Sequence, residues 1–146
     1  MRKQFLIGMA FATVAVFSFT EYSGAVNFIV MGNAAELGYE AQVSNEPGVK
    51  IAATLQKITK DAKTWNFELS LETHTHALSE VLENSAVLVA DGKQYQPLSW
   101  EGSPPGGHHR KGVLRFKAIA PQPSSVELQI RLVGDTTPRS FKWRLK

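Results

Sequence analysis

Residues 65–72 read Trp65-Asn66-Phe67-Glu68-Leu69-Ser70-Leu71-Glu72, an unbroken alternation of apolar and polar side chains. Successive Cβ atoms on an extended chain point to opposite faces, so Trp65, Phe67, Leu69 and Leu71 share one face and the polar residues share the other. An amphipathic helix needs apolar residues at i, i+3 and i+4, which this stretch does not supply. The reading is a strand with one face in a core and one in water.

The same period recurs outward from it. Val49, Ile51, Ala53 and Leu55 alternate with polar or small residues before it. Leu114, Phe116 and Ala118, then Val126, Leu128, Ile130 and Leu132, then Phe141, Trp143 and Leu145 alternate after it. Residues 86–90 (AVLVA) are continuously apolar and read as a strand covered on both faces. The separators are turn-like. They are Asn45-Glu46-Pro47-Gly48, the hairpin pair Asp91-Gly92 leading into Lys93-Gln94-Tyr95, residues 103–107 (SPPGG), residues 121–125 and residues 134–138. Residues 75–84 allow a helical turn, with Leu78 and Leu82 at i, i+4. Short strands with turns at this spacing predict an all-β, two-sheet antiparallel sandwich of immunoglobulin-like type. Its large inward side chains are enough to hold about 120 residues without a disulfide or a metal.

The N-terminus has a different logic. Met1-Arg2-Lys3-Gln4 is basic, residues 5–19 are apolar, and residues 20–25 are more polar and end in small side chains. This is the layout of a secretory signal, with cleavage expected after Ala25 and a second candidate after Ala34. The apolar run is shorter than the roughly 18–20 residues a spanning helix needs. Membrane contact is therefore expected only in transit, and the destination is periplasmic or extracellular. The expected organisation is a signal over residues 1–25, an N-terminal extension or first strand over 26–47, and the sandwich over 48–146. The chain has no cysteine, which excludes disulfides, lipid attachment to an N-terminal cysteine and a blue-copper ligand set.

Formal net charge is +3, or +2 once Arg2, Lys3 and Glu21 leave with the signal. The halves differ in sign. Residues 26–92 carry four Lys/Arg and nine Asp/Glu, and residues 93–146 carry ten and three. Cross-strand ion pairs between acidic early strands and basic late strands are one expectation. A basic patch for an anionic glycan or lipid headgroup is the other. Nucleic acid is excluded as a partner by export and by the lack of a recognition motif.

All four histidines fall in two clusters, Glu72-Thr73-His74-Thr75-His76 and His108-His109-Arg110. If the strand of Trp65 continues, Glu72, His74 and His76 share its polar face, about 7 Å apart, a spacing from which two imidazoles can converge on one ion. Adjacent residues point opposite ways on an extended chain, so one of His108 and His109 would join them unless Gly106-Gly107 curls the loop. With Glu72 or Glu101 as oxygen ligands and Arg110 as a supporting or anion-binding group, the donor set suits Zn²⁺ or Cu²⁺.

The segment from Trp100 to Phe116 resembles small exported prokaryotic proteins with an immunoglobulin-like β-sandwich. The matching positions are Trp65, Phe67, Thr73, His74, Tyr95, Pro97, Trp100, Gly102 and residues 106–110. The resemblance implies the fold over most of residues 49–146 and carries no activity with it. His76 is not part of the shared pattern, which favours His74 with His108 or His109.

No Gly-x-Ser-x-Gly elbow or phosphate loop is present. Glu68, Glu72, Glu80, Glu83 and Glu101 read better as solvated strand-face residues than as a glycosidase pair. The expected function is a binding module, not an enzyme, holding a divalent metal through His74, His76, His108, His109, Glu72 and Glu101. The alternative is a metal-free interaction domain that contacts a glycan, an envelope component or a protein through Tyr95, Trp100 and a basic surface.

Overall fold

A computed structural model describes residues 38–146. The expected signal and both expected cleavage positions, after Ala25 and after Ala34, lie outside the described residues. In chain order the elements are β1 (Gln42–Glu46), β2 (Val49–Leu55), β3 (Thr64–Thr73), α1 (Leu82–Ser85), β4 (Ala86–Ala90), β5 (Lys93–Tyr95), β6 (Ser99–Gly102), β7 (His109–Lys117), β8 (Ser125–Ile130) and β9 (Arg139–Arg144). They form a two-sheet antiparallel β-sandwich. One sheet has the order β1-β2-β3-β7-β6 and the other β5-β4-β8-β9.

β3 lies at the centre of the first sheet, paired with β2 on one side and β7 on the other. Its burial alternates without a fault, and Trp65, Phe67, Leu69 and Leu71 all face the second sheet. Phe67 meets Phe116 of β7 edge-on at 5.4 Å and Trp143 of β9 at 5.4 Å, so one ring joins both layers. Burying a side chain of that size contributes about 1.5–3 kcal/mol.

Three local expectations are corrected. β3 stops at Thr73, so His74 and His76 do not continue its polar face. Thr73 is buried and its hydroxyl donates to the carbonyl of Gly48 at 2.6 Å, which pulls the chain out of the ladder. Of residues 75–84 only 82–84 are helical, in the single turn Leu82–Ser85, although Leu78 and Leu82 are both fully buried. The run of residues 86–90 is not covered on both faces, because Val87 and Val89 are only half-buried on the outside of the second sheet.

The connections collect at two ends. The β1–β2, β3–α1, β6–β7 and β8–β9 links lie at one, and the β2–β3, β4–β5 and β7–β8 links at the other. Arg139, almost wholly buried, ties the sheets at the first end by donating to the carbonyl of Val49 and to both oxygens of Asp135 at 3.2 and 3.3 Å. Along one side the Gln42 side-chain amide exchanges two hydrogen bonds with the backbone of Lys142, covering the edge of β9 as a strand would.

Candidate functional site

The two histidine clusters lie at the same end, and backbone geometry explains why. The Thr73 amide donates to the His108 carbonyl at 2.9 Å. Gly106 donates to Leu78 at 2.7 Å, and Leu78 donates to the carbonyl of Gly107 at 2.9 Å. Gly106 and Gly107 have φ of 113° and 68°, a region that a side chain disfavours, and this lets the loop fold back on residues 73–78.

Arg110 completes the scaffold. Its Nη1 donates to the carbonyls of Glu80 at 2.7 Å and Leu78 at 3.4 Å, and Nε and Nη2 reach the Ser103 carbonyl at 3.4 and 3.3 Å. The guanidinium carbon lies 5.6 Å from the centroid of the Trp100 ring, and the residue is only 2% exposed. Burial lowers its pKa from the usual arginine value, while the charges of Glu80 and Glu83 oppose that shift. Arg110 is therefore a structural brace and not a group that meets an anion from solution.

On this frame the rings of His74 and His109 lie 6.4 Å apart, at 80° to one another. Both residues are exposed. Glu72 stands opposite His109 in the β3–β7 register, and beside His74 is a cleft of about 280 Å³ lined by Glu46, Lys50, Glu72 and Thr73 among others. With metal–nitrogen distances of about 2.0–2.1 Å, two imidazoles on one ion have centroids roughly 5–6 Å apart. The observed separation is slightly wider. Among the described residues, no group of three or more His, Asp or Glu side chains is arranged to hold a metal as it stands.

The other expected site residues have the following surroundings. His76 is exposed and its Nδ1 bonds the Thr75 hydroxyl at 2.9 Å. His108 is exposed and contributes its carbonyl to Thr73. Glu101 faces Val113 in the β6–β7 register, well along β7 from His109, and pairs with Arg115 at 2.8 Å. Tyr95 and Trp100 are half-buried against the core. Trp100 Nε1 donates to Ser103 at 2.9 Å, and its ring covers the paired glycines Gly102 and Gly112. Both aromatics help to close the sandwich.

Sequence reading did not single out Arg139 or Gln42. A signal for Arg139 was present, since it shares parity with the inward residues Phe141 and Trp143.

Fold and site together define a β-sandwich with a histidine-bearing rim. No family model matches the chain, and no curated protein matches it. Among solved structures it is similar to the secreted protein MPT63 from Mycobacterium tuberculosis, with 13% identity and a TM-score of 0.42 over 72% of this chain and 92% of that one.

Proposed function

We propose that the chain is an exported binding module that takes a divalent transition-metal ion, Zn²⁺ or Cu²⁺, on its histidine rim. His74 and His109 supply the imidazoles, Glu72, opposite His109 in the β3–β7 register, is the candidate oxygen ligand, and water or a partner's group completes the shell. The observation that carries this reading is the 6.4 Å approach of the two rings, held by backbone bonds on both sides. Imidazole and carboxylate donors without thiolate suit these two ions. Export is read from the composition of residues 1–25.

The test is thermal unfolding of the chain recovered from an exporting host. Added Zn²⁺ or Cu²⁺ raises Tm, because an ion bound only by the folded state stabilises it. His74→Ala and His109→Ala abolish the rise, and His76→Ala keeps it. An absent rise, or one indifferent to His74 and His109, contradicts the reading.

A further inference from the structure

The end of the sandwich opposite the histidines has a charge character that the sequence halves conceal. Its β2–β3 loop, from the acidic half of the chain, carries Lys57, Lys60 and Lys63. Lys117 ends β7 and stands opposite Thr64, next to Lys63, and the Ala118 amide donates to the Lys63 carbonyl at 3.0 Å. The C-terminal segment adds Arg144 and Lys146, joined to the β7–β8 loop by Leu145 to Ser124 at 2.7 Å and Lys146 Nζ to Gln122 at 2.7 Å. All six cations are exposed. The carboxylates nearest in sequence are Glu40 and Asp61, Asp91 and Glu127 line one cleft with Arg144, and the neighbouring Lys93 and Lys142 offset that pair in charge.

Lys111, Arg115 and Lys142 on the sheet faces each have a carboxylate partner within 4.0 Å, whereas among the described residues none of the six does; Lys50 and Arg131, elsewhere on the domain, and the neighbouring Lys93 are also without one. Uncompensated cations gathered on one end create a local positive potential that favours an extended anionic surface. The chain also enters the domain here. Gly38 lies against Leu55 and Lys57, and the Tyr39 amide donates to Leu55 at 2.9 Å. Before any cleavage, the apolar run of residues 5–19 is thus joined in sequence to the domain at its basic end.

We infer that this end docks on anionic phospholipid headgroups, with the histidine rim turned away from the bilayer. The inference is independent of the metal reading. Co-sedimentation of the exported chain with phosphatidylglycerol–phosphatidylcholine vesicles tests it. Binding is expected there at low salt, and not on pure phosphatidylcholine. Each of Lys57→Gln, Lys60→Gln, Lys63→Gln and Lys117→Gln lowers partition roughly fivefold. Lys111→Gln with Lys142→Gln, which removes charge from the walls, leaves binding largely intact. Equal loss in that control overturns the inference, since net charge alone would then act. So does failure to bind anionic vesicles, or binding to soluble heparin without binding to vesicles.

Discussion

The amide of Thr73 donates to the carbonyl of His108 across 2.9 Å, one residue beyond the last ladder pair, Glu72 with His109. That bond closes the gap between the end of the central strand and the diglycine loop. The Thr73 hydroxyl makes a second tie at the same point, to Gly48.

Thr73→Val keeps the shape of the side chain and removes that second tie. The Gly48 carbonyl loses a donor, and the variant is expected to be less stable by about 0.5–1.5 kcal/mol in urea unfolding. An unchanged midpoint would show that the hydroxyl does not hold the strand end.

Arg110→Met replaces a buried fork of donors by a thioether. The Leu78 and Ser103 carbonyls keep other partners, but the Glu80 carbonyl loses its 2.7 Å donor. The expected loss is about 2 kcal/mol or more, accompanied by a change in Trp100 fluorescence. Arg110→Lys recovers only part of it, because one ammonium cannot copy the fork.

Gly112→Ala tests the close approach of β6 and β7. A Cβ at Gly112 would fall within contact distance of the Glu101 carbonyl oxygen and 2.8 Å from Trp100 Cζ2. Backbone and ring must both shift, at an expected cost of about 1–3 kcal/mol, read as a lower Tm. Gly92→Ala in the exposed hairpin meets no atom within 4 Å, but its φ of 74° disfavours a side chain, so any cost there is backbone strain and not a clash.

Acid stability follows from Asp135. Burial is the largest influence on this carboxyl and disfavours its charge. The Arg139 hydrogen bonds, the Leu132 amide and the charges of Arg139 and Arg131 together outweigh it and hold its pKa below the ordinary value. A depressed carboxylate pKa contributes stability that is complete above the unfolded value of about 3.9 and is lost as pH falls through the lower folded value. Wild type is therefore expected to weaken on acidification below about pH 4. Asp135→Asn is expected to be less stable at neutral pH and to show a flatter acid limb in chemical denaturation.

Much of the fold was legible because β3, β8 and β9 repeat with a period of two over their whole lengths. β1 and β6 were not, since Gln42–Glu46 and Ser99–Gly102 are short edge strands with little alternation. The histidine clusters were legible as residues, but their arrangement was not. The exit of the chain at Thr73 depends on Gly48, 25 residues away, and no local pattern reports it. Arg110 was read as a supporting or anion-binding group, although its parity with Leu114 and Phe116 places it inward. Arginine next to His-His suggested a site, and the strand period was the stronger signal. The basic end was hidden for a similar reason, because three of its six cations come from the half with net negative charge.

The most direct measurement of the central claim is a Zn²⁺ titration followed through the imidazole nitrogens by two-dimensional NMR. The account predicts that the ring nitrogens of His74 and His109 shift together and saturate at one ion per chain, with His76 unmoved. Shifts confined to His76 or His108, or no shift at all, would contradict it.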